Sequence, residues 1–217
     1  MLTQPPYLDK LSLERRRVFT ELKAFPDFVL ADGTAIMFQM GDRLTYDFDL
    51  FSKKSISRYI LTKAKKIFGK DILIQLETSD MISFKTKDNI DISFVFYPYK
   101  PLRKLIKTDS IPLYDLDDLV ANKAITISRR GAWRDYVDIF FFLKRKRYSV
   151  NDLIDLAEKK YGGEFSSKLF LGQLTYFEDV KILPTVFLKE KYSDQEIKSY
   201  LEREVRLYLK KILPEKD

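Results

Sequence analysis

Two hydrophobic rhythms divide this chain, and the switch between them near Pro112 sets what it can fold into. Before that point, short strand-like stretches recur: a buried apolar run at 28–31, an alternation of charge with bulk at 46–51, and β-rich segments at 72–77, 81–86 and 90–97. Helical spacing over 11–24, 34–40 and 55–68 intervenes, with Ser55 or Ser57 as a cap for the third of these. A tight turn at Lys87-Asp88-Asn89 makes the last two strands a hairpin, and Pro98 and Pro101 end it. From residue 116 onward the spacing is helical: 116–128, 133–146, 150–160 (capped by Ser149 or Asn151) and 193–211. The last carries Ile197, Leu201, Val205 and Tyr208 on one stripe. Residues 171–191 fit neither rhythm. The expectation is an α/β (α+β) chain: a mixed sheet of four or five strands with helices in 1–112, then a helical subdomain in 113–217.

The missing residue types narrow the chemistry. The chain has neither cysteine nor histidine. Disulfides, thiolate zinc sites, cysteine nucleophiles, imidazole ligands and Ser-His-Asp catalysis are thereby excluded. Reaction chemistry is left to carboxylates, Lys, Arg, hydroxyls and backbone groups, a palette that suits a hard, oxygen-ligated cation such as magnesium. The net charge of +7 and basic clusters at Arg15-Arg16-Arg17, Lys63/Lys65/Lys66, Arg129-Arg130 and residues 144–147 favour a polyanionic partner. Solvated helix faces account for any single cluster equally well. The N-terminal residues lack a basic segment followed by an apolar one, and the densest apolar run, 139–143, falls far short of the roughly 20 residues of a membrane span. A cytoplasmic protein without membrane association is expected.

Three acids stand where strands are expected. Asp47 and Asp49 flank Phe48, so on a strand both carboxylates project to one face while Phe48 enters the core. Like charges side by side are unfavourable unless a cation lies between them, although a pair of solvent-facing acids at a strand end is the plainer explanation. Asp91 opens an otherwise apolar strand, or else belongs to the Asn89 turn. Should its strand lie beside that of Asp47 and Asp49, three carboxylates converge, enough with polyphosphate oxygens to complete two octahedral magnesium sites. Upstream, Asp32-Gly33-Thr34 joins a strand directly to a helix, leaving backbone N–H groups at the helix start for phosphate; Gly33 permits close approach and the Thr34 hydroxyl can add a bond. Arg43 either neutralises phosphate or pairs with Asp42 or Asp47.

Two ordered blocks resemble one known family. Residues Leu30-Ala31-Asp32-Gly33-Thr34-Ala35 followed by Arg43 and Asp47-Phe48-Asp49, then Lys123-Ala124-Ile125, Arg130-Gly131 and Arg134-Asp135-Tyr136-Val137-Asp138, resemble the nucleotidyltransferase AbiEii/AbiGii toxin family of the polymerase-β-like superfamily. The resemblance implies a polymerase-β-like nucleotidyltransferase core with a mixed sheet, completed by the helical C-terminal part. It implies that Gly33 and Thr34 bind phosphate, that Asp47 and Asp49 bind metal with Asp91 as third carboxylate, that Lys123 contacts the triphosphate, and that Asp138 completes the active site. One departure is visible: Asp32 stands where the family has the first glycine of its turn. Read from the residues alone, Lys123 on an apolar helix face needs a partner if buried. Asp135 and Asp138 share a face, and Arg134 with Asp138 forms an ordinary i,i+4 pair as an alternative.

The implied reaction moves NMP from an NTP to an acceptor hydroxyl and releases pyrophosphate, with two Mg2+ ions, Asp91 taking the proton, and Lys123 and Arg43 offsetting triphosphate charge. The resemblance further implies a type IV toxin–antitoxin or abortive-infection toxin, with tRNA as acceptor and a cognate antitoxin protein as partner. Transfer to a small hydroxylated compound such as an aminoglycoside, and a catalytically silent relative that only holds nucleotide or antitoxin, are the competing readings.

Overall fold

The structure is a computed structural model that describes residues 4–129 and 131–213; Arg130, part of a basic cluster and of the second motif block, lies outside the described residues. The chain divides into two units, Met1–Leu116 and Asp117–Asp217. The division falls after Pro112 because the intervening residues stay with the sheet of the first unit: Leu30 donates to the Pro112 carbonyl at 2.8 Å and Tyr114 to that of Leu30 at 3.1 Å. Among the described residues no helix is long and apolar enough to cross a membrane.

The first unit contains α1 (Leu13–Glu21), β1 (Val29–Ala31), α2 (Asp32–Met40), β2 (Phe48–Ser52), α3 (Tyr59–Phe68), β3 (Leu73–Glu77), β4 (Met81–Lys85) and β5 (Asp91–Phe96). These strands form one mixed sheet ordered β1-β2-β5-β4-β3, with β2 and β5 parallel and the other neighbours antiparallel. After β2 the chain crosses by α3 to the far edge, then returns through β3 and β4 so that β5 enters the slot beside β2. Phe48, Leu50, Ile92 and Phe94 face the core and are essentially inaccessible. Phe25 and Phe28 pack their rings on Phe94 at 4.7 and 4.8 Å between centroids, so aromatic area seals this side of the sheet.

Several boundaries differ from the sequence expectation for local reasons. The helix expected over 11–24 is α1 flanked by single 3-10 turns, with the Ser12 hydroxyl accepting the Arg15 N–H. The strand expected from Tyr46 begins at Phe48, because Asp47 gives its carbonyl to the Thr34 hydroxyl rather than to a ladder. The helix expected from Ser55 begins at Tyr59, and the Ser57 hydroxyl accepts the Tyr59 N–H at the entrance. The hairpin turn is as expected: Asn89 takes a left-handed φ of 59° and Thr86 bonds the Ile90 carbonyl at 2.9 Å. The edge strand β3 is exposed along its whole length, and its register shifts between Ile74 and Leu76, leaving Gln75 as an extra, bulged residue.

The second unit holds α4 (Leu116–Arg129, begun by the last residue of the first), α5 (Trp133–Lys144), α6 (Val150–Tyr161), α7 (Ser167–Leu174) and α8 (Asp194–Ile212). Ser149 and Ser193 each build a capping box, on Asp152 and Glu196. In the stretch that fits neither rhythm, α7 ends at Leu174 and the chain then runs irregularly to α8. Ile197, Leu201 and Val205 are buried as the α8 stripe requires, and Tyr208 is half-buried. One buried cluster was not legible: Lys160 of α6 places its ammonium 2.7 Å from Asp118 and 2.7 Å from Asn122 Oδ1, both on α4. Burial pushes the Lys160 pKa down, and Asp118 opposes that shift.

Two predictions follow from this packing. Lys160→Met removes the ammonium from beside the buried Asp118 carboxylate and should lower stability by about 3–5 kcal/mol. Adding Asp118→Leu should restore most of that loss in a urea titration. Gly41 ends α2 with φ 63°, and a Cβ there would come 2.3 Å from the Tyr7 ring. Gly41→Ala should therefore cost about 1–2 kcal/mol of backbone penalty plus the displacement of that ring. In a Tyr7→Ala background only the backbone part should remain.

Candidate active site

The candidate residues of the first unit stand on three neighbouring strands and the turn that follows β1. Ala31 of β1 pairs with Asp49 of β2, which pairs with Ser93 of β5, so these residues form one row across the sheet. Strand neighbours lie about 4.8 Å apart and row partners share a face. Asp91 stands two residues before Ser93 and so projects to the same side as Asp49, one diagonal step away. Asp47, Asp49 and Asp91 are all half-buried, whereas Phe48 and Ile92 between them are in the core. The strand adjacency on which the convergence of three carboxylates depended is thus present.

α2 begins at the residue after Ala31, so its N-terminus stands directly beside the Asp49 row. No loop separates strand from helix, and the chain makes the corner by holding Asp32 at φ 53°. That is left-handed backbone, which glycine adopts freely and aspartate better than most other residues. The conformation gives a physical reason for the glycine expected at this turn. The first N–H groups of α2 lack intrahelical acceptors and carry the positive end of the helix dipole.

Gly33 and Arg43 are fitted to each other. A Cβ on Gly33 would lie 3.1 Å from Arg43 Nη2 and 3.2 Å from Thr45 Cγ2. The bare backbone therefore admits the guanidinium of Arg43, 95% buried, against the start of the helix. A permanent cation and a helix N-terminus together form an anion-attracting corner. The hydroxyl of Thr34, the residue expected to bond phosphate, is engaged within the chain. Its buried hydroxyl donates to the Asp47 carbonyl, and lies 2.8 Å from the Thr45 hydroxyl. A hydroxyl has one proton. Here that proton ties the first turn of α2 to the backbone of the metal-ligand candidate Asp47.

Asp91 has two partners that the residue pattern did not identify. Gln75 donates to its Oδ1 at 2.9 Å, and the Lys85 ammonium lies 3.4 Å from Oδ2. Lys85 is its direct cross-strand partner, a relation that the 87–89 turn would have yielded had the hairpin register been counted outward. Gln75 is the bulged residue of β3, and nothing in the sequence marks the bulge. Bulges beside functional sites commonly re-aim one side chain, and this one turns an amide onto a carboxylate.

In the second unit, Lys123 is 97% buried, with Asp135 at 2.6 Å and Asp138 at 3.2 Å, both from α5. The expected partner is thus a pair of acids one turn apart, Asp135 and Asp138. One ammonium against two carboxylates leaves the trio one negative charge. Asp135 Oδ2 is buried without a hydrogen-bond partner among the described residues, an acceptor open to a further donor or cation.

Comparison with known proteins agrees with this architecture. A protein of Aquifex aeolicus (strain VF5), aq_aa25, is 29% identical over 221 residues, covering 92% of this chain and 98% of its own length. Among solved structures, JHP933 from Helicobacter pylori matches with a TM-score of 0.57 at 17% identity, over 98% of this chain and 95% of that one. The nucleotidyltransferase toxin MenT4 of Mycobacterium tuberculosis matches with a TM-score of 0.58 at 10% identity, over 88% and 80%. At such identities these two structures establish the shared α/β fold. The family described as nucleotidyl transferase AbiEii toxin, type IV TA system, matches residues 16–217. With nearly its whole length matched, the chain belongs to the AbiEii nucleotidyltransferase toxin family.

Proposed function

We propose that this nucleotidyltransferase moves NMP from a magnesium-bound NTP to a hydroxyl of RNA, with tRNA as the acceptor class, as the cytoplasmic toxin of a toxin–antitoxin pair. The observation that carries the reading is the Ala31–Asp49–Ser93 row, which sets a helix N-terminus and the carboxylates of Asp49 and Asp91 on one sheet face. Carboxylate oxygens in a chain without cysteine or histidine suit magnesium, so the residues present fit the implied ions. Two ions held by Asp47, Asp49 and Asp91 would supply activation of the hydroxyl and neutralisation of the departing pyrophosphate.

The chain's own groups do the rest. The α2 N-terminus at Gly33 and the Arg43 guanidinium hold triphosphate oxygens, with a charge-assisted geometry that strengthens as negative charge shifts toward pyrophosphate. Thr34 serves by fixing the Asp47 backbone. Asp91 takes the proton of the attacking hydroxyl, its orientation set by Gln75 and Lys85. Lys123 and Asp138 belong to the same reaction in this reading, Lys123 balancing acidic charge and Asp138 orienting the ammonium.

Asp49→Asn should reduce transfer of label from an α-phosphate-labelled NTP to total RNA by more than about a hundredfold, beyond what loss of an outer partner to a metal ligand brings. Its melting temperature should stay near that of the parent. Unchanged labelling would remove Asp49 from the mechanism; labelling of an aminoglycoside but not of RNA would reassign the acceptor; binding of NTP without any transfer would indicate a silent relative. Gly33→Ala must push the Arg43 guanidinium aside by a few tenths of an ångström. It should raise KM for the NTP several-fold with a smaller change in kcat, read by steady-state kinetics.

A further inference from the structure

A cavity of about 360 Å³ opens in the second unit, lined among others by Phe140 and Lys144 of α5, Tyr192 ahead of α8, and Glu196, Tyr200 and Arg203 of α8. Its size falls within the range of small-molecule sites. The α8 members recur at helical spacing on a stripe beside the buried Ile197, Leu201 and Val205, so the helix packs with one face and presents another. The Lys144 ammonium stands 5.5 Å from the Tyr192 ring centre and 5.2 Å from that of Tyr200, while the Arg203 guanidinium stacks on Tyr200 at 4.6 Å. Phe140 meets both tyrosines edge-on, at 4.9 and 5.2 Å. The Tyr192 phenol donates to Glu190, which fixes that ring from outside. Glu196, the acid of the lining, has its carboxylate turned into the Ser193 cap. Exposed Arg145, Lys146, Arg147, Lys189 and Lys191 lie next to these residues in sequence.

We infer that this cavity docks single-stranded RNA, one base lying against Tyr192 and Tyr200 while its flanking phosphates meet Lys144 and Arg203. The inference rests on the RNA-acceptor reading above and gives that acceptor a place on the chain. Aromatic faces beside flexible cations are the two components that bind unpaired nucleic acid without regard to sequence. A stack of base on tyrosine is worth more than the exposed cation–ring contact it displaces, which releases the Lys144 ammonium toward phosphate, while Arg203 exchanges its exposed Glu204 partner at 2.9 Å for a phosphate oxygen. Duplex RNA keeps its bases paired and cannot present them to the rings. An acidic peptide would use the cations and leave the ring faces idle.

The test measures fluorescence anisotropy of a labelled single-stranded octaribonucleotide on the full chain, without NTP. Lys144→Glu/Arg203→Glu should weaken binding at least tenfold and lower the salt slope of log K by roughly 1.4, the value for two lost single-strand phosphate contacts. Tyr200→Leu, which keeps an apolar filling, should weaken binding about five- to a hundredfold with little change in salt slope. Thermal melts and Mg-ATP calorimetry on each variant should match the parent. RNA binding that is equal in parent and charge-reversed chain, absent from the parent, or displaced equally by polyglutamate and by RNA overturns the inference. Loss of transfer activity with intact oligonucleotide binding would instead strike the nucleotidyl-transfer reading and leave this one standing.

Discussion

Parallel pairing of β2 with β5 is the constraint on which the site depends. Because the two strands run the same way, the acid that opens β5 lies at the same end of the sheet as the acids that open β2. Antiparallel pairing would carry Asp91 to the opposite end, beside Ser52. Parallel neighbours cannot be joined by a tight turn. The detour through α3, β3 and β4 is therefore a topological requirement of the acidic row, and it also delivers Lys85 and Gln75 to Asp91.

Acids facing a lysine recur in both units. Asp91 faces Lys85, Asp135 and Asp138 share Lys123, and Asp118 holds Lys160. Buried ion pairs seldom add net stability over apolar packing, but removing one member is costly. Where a cluster serves chemistry, the same pairing lets acids stand close before any substrate arrives. The Lys160 pair joins α6 to α4 through Asp118 and Asn122.

Much of the fold could be read from the chain because its signals were local. Short β-rich runs marked the strands, the turn at residues 87–89 marked the hairpin, and Ser149 marked a helix cap. The candidate acids of the first block could be read as well, since Asp-Phe-Asp on a strand leaves little choice of faces. What escaped depended on partners distant in sequence or on backbone detail. The Thr34 hydroxyl binds a carbonyl, and no residue type announces a carbonyl. Asp32 looked like an electrostatic departure, yet its left-handed φ makes it equally a conformational one. Gln75 reaches Asp91 because of a bulge, and Lys160 finds Asp118 across two helices; neither contact has a period that a sequence can display.

The bulge in β3 has a second consequence. An edge strand with Leu73, Ile74 and Leu76 exposed is a template along which a foreign strand can align, peptide group by peptide group. Gln75 interrupts that alignment midway, so a stranger meets only Leu73-Ile74 or Leu76-Glu77 in unbroken cadence. The same residue that donates to Asp91 thus also shortens the stretch of edge along which another strand could pair.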